Sequence, residues 1–409
     1  MLENAVVILL LVAAGPATAG PAAQERATLR LPPSPLDETE RIVHAMNRLG
    51  YGPRPGEVER IRAQGLDRWL TAQLYPETVD DPDVERRLAA FETLELSQAE
   101  LLARFPPPSL LRGIASRMAR PLQMDRAELA RLFPELAAFD RARRRRDADA
   151  APADPPPGSP ARRPQAPQAP QTMNRMLDGP GLIGAELAQA KLVRSIYSER
   201  QLEQVLVDFW FNHFNVFIGK GQVRWMIGGY ERDAIRPHVL GSFRDLLGAT
   251  ASHPAMLFYL DNWQSAAEGA VLDGPTRQLY GIESIERQGL PPGGVATLIL
   301  RDRGLDTAEL EQKLRRQETY LRYRRNRARA RRSRDPLRDA EPERRGLNEN
   351  YARELLELHT LGVDGGYSQR DVVEVARCFS GWTLTPMLAA QQFVFMPELH
   401  ASGKKEVLG

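Results

Sequence analysis

Residues 347–367 read LNENYARELLELHTLGVDGGY, a helical stretch in which Asn348, Glu349, Asn350, Arg353, Glu354, Glu357 and His359 stand among leucines spaced for burial. Tyr351, Leu355 and Leu358 recur at helical spacing and form the expected buried stripe, while Asn350, Glu354 and Glu357 form a polar one. Glu354 and His359 are five residues apart, about 140° around an ideal α-helix, so they are not expected to make a one-face metal pair. Gly362 stops the helix, and the GVDGGY turn that follows carries one carboxylate, too few for a calcium loop. Polar groups ring this helix instead of keeping to one outer side. Either they solvate it or they line something.

Two upstream blocks share the pattern. In DFWFNHFNVF (208–217), Asp208, Asn212 and Asn215 fall on one stripe and His213 lies beside Phe209 and Val216. Aromatic residues occupy nearly every other position, which leaves this helix no clearly wet side. Its polar groups are therefore expected to be buried and to need partners, since each unpaired one costs about 1–3 kcal/mol. In YERDAIRPHVL (230–240), Glu231, Ile235 and His238 share a stripe, Arg232 and Arg236 share the next, and Pro237 removes a backbone donor near the helix end.

These residues define the candidate site. His213, Glu231, His238, Arg353, Glu354 and His359 are the catalytic candidates, and Asn212, Asn215, Arg236 and Asn350 the substrate-binding ones. His213 or His359 would bind metal or shuttle protons, Glu354 would act as base, and Arg353 would steady an anionic substrate group. The chain has no His-Glu-x-x-His and no Glu-x-x-His, so a metal held by His213, Glu354 and His359 would need ligands gathered from several helices. The cofactor is left open, with a divalent metal as the candidate, because imidazole and carboxylate suit zinc, iron or manganese. The competing reading makes the same residues an internal hydrogen-bond lattice that fixes helix packing in a non-catalytic scaffold. Nucleophilic catalysis has little support: there is no Gly-x-Ser-x-Gly, and Ser380 in CFSGW lacks an elbow context.

Composition bounds the rest. At 409 residues the chain exceeds the size of a single core, and 42% apolar with 26% charged residues is a globular balance. The single cysteine, Cys378, excludes an intramolecular disulfide and reads as an inert core thiol. An apolar run from Ala5 to Ala14, followed by Ala17-Thr18-Ala19, has the form of a secretory leader over residues 1–19. The product is expected to be exported, periplasmic or extracellular. No later stretch reaches the roughly 18 apolar residues of a membrane helix.

A proline-rich spacer (20–40) leads into an N-terminal helical region (41–140) with glycine stops at Gly50 and Gly65. Residues 141–172 are an Arg/Pro-rich stretch without large apolar side chains, expected to be a disordered linker. A central helical core (173–265), a variable insertion with a basic helix (266–345) and a C-terminal motif region (346–409) follow, with a short strand expected at Val295–Leu300. The basic run RYRRNRARARR has the charge of a nucleic-acid or lipid-headgroup footprint. With no aromatic platform or binding fold beside it, nucleic acid is not expected as a partner. The fold class is all-α, an irregular multi-helix domain with disordered insertions.

HAMNRLGYGPRPGEVERI (44–61), SERQLEQVLVDFWFNHFNVFIGKG (198–221), YERDAIRPHVLGSFRDLLGATASHPAMLFYLDN (230–262) and GLNENYARELLELHTLGVDGGYSQRDVVEVARCFSGWT (346–383) together resemble the bacterial domain of unknown function 1800 family. The resemblance covers about residues 41–409, and its blocks are long and ordered. It implies an exported, mostly helical protein, often encoded beside a second exported protein that would be its partner, and it implies no reaction. Family members continue with further helices, so the chain reads as C-terminally truncated. The family's His-Asp pair near this point is His400-Ala401 here.

Overall fold

In the computed structural model the described residues are 29, 31–118, 125–150, 179–272, 274–332 and 346–409. The leader expected at 1–19, residues 151–172 of the expected linker and residues 333–345 of the insertion lie outside them. The described chain is helical apart from one two-stranded hairpin.

The N-terminal region starts at Glu38, where Asp37 and Glu40 close a reciprocal capping box on the helix Glu38–Leu49. Helices Glu57–Gln64 and Leu66–Leu74 follow, separated by Gly65 at φ +94°, a left-handed conformation that glycine adopts without steric penalty. Ile42, Met46, Ile61 and Trp69 bury against one another as a small core. Arg54 reaches out of this arm to Glu57 and Glu199, tying it to the central helices.

The main core gathers Gly181–Tyr197, Gln201–His213, Phe243–Ser252, Pro254–Tyr259, the 350–360 helix and Gln369–Phe379. Phe214, Tyr230, Ile235, Tyr351 and Leu356 are fully enclosed there. Each such side chain contributes about 1.5–3 kcal/mol over its exposed state.

A second core joins Gln98–Arg104 and Pro108–Met118 to Val295–Asp302 and the start of Ala308–Arg332. The segment expected as a strand at Val295–Leu300 is helix. A short apolar run fits a buried helix as well as a strand. Gly294 decides for helix: at φ +61° it turns the chain into the first helical turn, where an added Cβ would lie 2.1 Å from the Leu388 carbonyl oxygen. Helix Pro134–Ala150 runs ten residues past the compositional change at 141, because Arg and Ala favour helix without needing a core.

The hairpin pairs β1 (Trp382–Leu384) with β2 (Phe393–Phe395), antiparallel, in the register Trp382↔Phe395, Thr383↔Val394, Leu384↔Phe393. Among the described residues no helix is long and apolar enough to cross a membrane.

Candidate active site

Two π-helical segments shape the interior. Leu355–Thr360 widens the helix that begins at Asn350: the Leu361 amide bonds the Leu356 carbonyl, and the Thr360 hydroxyl bonds the Leu355 carbonyl. The extra residue per turn rotates everything after it. Tyr351, Leu355, Leu356 and His359 face the core, and Leu358, expected in the buried stripe, is 57% exposed. The 140° separation of Glu354 from His359 assumed α geometry. Glu354 instead flanks the π segment that contains His359, and among the described residues no hydrogen bond or ion pair joins the two side chains.

His359 meets His213. The helix Gln201–His213 ends at that residue, and His213 Nε2 lies 3.1 Å from the His359 carbonyl oxygen, with ring centroids 6.3 Å apart. A carbonyl only accepts, so Nε2 carries the hydrogen and Nδ1 the lone pair. The His359 ring is 5% exposed, yet its Nδ1 has no hydrogen-bond partner. Burial, reinforced by neighbouring His213, pulls its pKa down to about 4. Phe214 and Tyr351 lie edge-on or tilted against His359, and Trp210 stands edge-on to His213. Phe209 and Phe243 reach solvent beside this cluster. Burial, then the nearby Glu357 carboxylate, raises the Glu354 pKa.

The other expected residues form a different structure. Tyr230–Ile235 is the second π segment, in which the Arg236 amide bonds the Glu231 carbonyl. That i,i+5 geometry brings their side chains together: Arg236 Nη2 is 2.8 Å from Glu231 Oε1, with Arg194 Nη1 at 3.4 Å from the same oxygen. Arg236 also donates to Gln204 Oε1 at 2.9 Å and pairs with Glu203 at 3.4 Å. Burial, then repulsion from Arg236, lowers the Arg194 pKa. The lattice is closed on itself. His238 sits on the next turn, half-buried.

Asn212 and Asn215 are exposed, which corrects the expectation of a helix without a wet side. Phe209 supplies that side together with Asn212, whose side-chain nitrogen donates to the Asp208 carbonyl at 2.8 Å, while Asp208 pairs with Lys191. Asn350 and Arg353 are exposed too, with Arg353 bonded to Gln369 at 2.9 Å and paired with Glu349 at 3.4 Å. Of the expected set, His213 and His359 converge, Glu231 and Arg236 converge elsewhere, and the asparagines and Arg353 face outward. Arg194 and Gln204 were missed, because no local pattern marks them and only tertiary packing aims Arg194 at Glu231 and Gln204 at Arg236. Among the described residues no three His, Cys, Asp or Glu side chains gather to hold a metal ion, so His213, Glu354 and His359 do not form the expected ligand set. Cys378 is half-buried, and burial raises its thiol pKa.

A family profile described as "Protein of unknown function (DUF1800)" matches residues 44–409. No curated protein and no solved structure matches the chain.

Proposed function

The chain belongs to the DUF1800 family of proteins of unknown function, and on that premise we propose an exported, hydrolase-like enzyme that works by acid–base chemistry at the His213–His359 pair. One observation carries the reading. A buried imidazole nitrogen, His359 Nδ1, meets no protein group beside a second imidazole whose own Nδ1 keeps its lone pair. Leaving such an atom unpaired costs about 1–3 kcal/mol, which a substrate atom or water placed there would recover.

In this reading an attacking water or hydroxyl gives its proton to His213 Nδ1. The imidazolium that forms is steadied by its Nε2–H bond to the His359 carbonyl. His359, kept neutral by burial, presents Nδ1 to a polar group of the substrate. Glu354, its carboxyl pKa raised, flanks the same π segment as a proton donor. Two imidazoles are fewer than the three protein ligands of a catalytic zinc site, so the proton chemistry falls to the imidazoles. Export rests on the apolar run and small-residue site before residue 20.

A second reading applies to Glu231, Arg236, Arg194 and Gln204. Their donors and acceptors are spent on one another, which favours a purely structural role for that half of the expected site.

Turnover of p-nitrophenyl esters, phosphates and glycosides tests the proposal. His213→Ala should lower kcat/KM by about 100-fold or more while the helical circular dichroism is kept. Equal turnover by both proteins would overturn it.

A further inference from the structure

The helices Gly274–Arg287 and Ala308–Arg332 pack side by side, and with the loop at 290–293 and the turn at 386–389 they enclose a groove of about 760 Å³. Its walls are mainly apolar, with Ile282, Ile285, Leu290, Leu314, Leu321 and Leu388 facing in. That volume falls within the roughly 300–1,000 Å³ of small-molecule sites. The groove's two carboxylates, Glu286 and Glu318, are bridged by Arg322. Arg315 also lines it, exposed and without an ion pair among the described residues, so with Arg322 the groove is neutral overall and keeps one cation free to meet an anion.

The same helix supplies a second, independent observation. From Arg322 to Arg332 it carries seven arginines and no acid. Tyr320 and Tyr323, three apart and each 58% exposed, stand on its outer face, with the Arg324 guanidinium over the Tyr320 ring. The aromatic neighbours whose absence argued against a basic footprint are therefore present. Amphipathic tyrosines beside arginines suit the headgroup level of an anionic membrane. A nucleic acid would use the arginines and tyrosines but would leave the apolar groove without a role.

We propose that this groove takes one acyl chain of an anionic phospholipid, with Arg315 meeting the phosphate and the exposed Arg324 and Arg327 attracted to the surrounding anionic surface. The apolar walls supply the hydrophobic term and the arginines a charge attraction to the anionic surface. The site is separate from the His213–His359 pair and does not depend on its chemistry.

Co-sedimentation of the full chain with phosphatidylcholine vesicles, with and without 30% phosphatidylglycerol added by design, tests it (roughly the anionic content at which surface charge attracts basic segments). Binding should be at least tenfold tighter to the anionic vesicles. Ile282→Trp, which fills the groove, and the milder Leu314→Gln should each weaken it about fivefold or more with unchanged circular dichroism. Arg315→Glu should remove the preference for the anionic lipid. A free fatty-acid probe, cis-parinaric acid, should bind more weakly than the vesicles. Tighter binding of the fatty acid would overturn the phospholipid assignment. Absence of vesicle binding, binding that both groove variants leave intact, or retention on single-stranded oligonucleotide without retention on vesicles would overturn the proposal.

Discussion

His213 donates its Nε2 hydrogen to the backbone carbonyl of His359, 3.1 Å away, and so joins the end of one core helix to the end of a π-helical segment 146 residues later. The carbonyl is one of the acceptors that a helix C-terminus leaves unpaired, and an imidazole is suited to cap it. The bond commits Nε2 of His213 and no ring nitrogen of His359, whose Nδ1 stays without a partner. A structural role and the proposed chemical one thus meet in a single contact.

Removing the contact separates those roles. His213→Ala should destabilise the fold by about 1–2 kcal/mol, the worth of one hydrogen bond plus a carbonyl left without its partner. His213→Asn keeps a donor and should restore part of that stability in thermal unfolding but none of the turnover.

Stability should fall as pH drops from about 6.5 to about 4. His359 and His253 are both pulled down to about 4 by burial, with their unfolded values at 6.5, so in this window the unfolded chain binds protons that the folded one refuses. Above 6.5 neither state is protonated and the effect is absent; below 4 both are and the loss is complete. Each histidine accounts for roughly 3 kcal/mol at most. Glu354, raised by burial and Glu357, acts in the opposite sense at the acid end. Urea unfolding of His359→Gln should show a shallower pH dependence than the parent.

The π register makes a contrast between neighbours. Leu358→Glu, on the outer face, should change stability by less than about 0.5 kcal/mol, whereas Leu356→Ala should cost about 2–5 kcal/mol. Chemical denaturation of the two variants checks this. Equal sensitivity would mean that the helix is α throughout.

Glu231 holds two arginines. Glu231→Leu should destabilise by about 3 kcal/mol, because the half-buried Arg194 would lose its ion-pair partner and Arg236 would keep only the longer contact to Glu203. Adding Arg236→Leu should recover much of the loss, and a double-mutant cycle by denaturant titration measures the coupling.

The all-α class was legible because periodicity and punctuation agree: Gly50 and Gly65 end helices where they stand, and Ile42, Met46 and Ile61 bury as their spacing requires. The candidate site was legible in its residue types and misplaced in its geometry. A reading at 3.6 residues per turn puts Leu358 inside and separates Glu354 from His359. One extra residue per turn reverses the first, putting Leu358 outside and Leu356 and His359 inside. The same widening joins Glu231 to Arg236 instead of aligning Glu231 with His238. Asn212 and Asn215 looked buried because Phe209 and Phe217 flank them, yet both phenylalanines are themselves exposed. The hairpin of Trp382–Leu384 with Phe393–Phe395 has strands of three residues, too short for an alternating pattern to register.

His213 and His359 are neighbours, with ring centroids 6.3 Å apart and the buried His359 Nδ1 unpartnered. Long-range 15N–1H correlation spectra of the histidine rings, recorded from pH 7.5 to 4.5 on uniformly labelled protein, test this arrangement most directly (a range chosen to bracket the ordinary histidine pKa near 6.5). The account predicts that His213 carries its hydrogen on Nε2 at neutral pH and that His359 stays neutral down to about pH 4. A His213 ring with its hydrogen on Nδ1, or a His359 ring that titrates near 6.5, would contradict it.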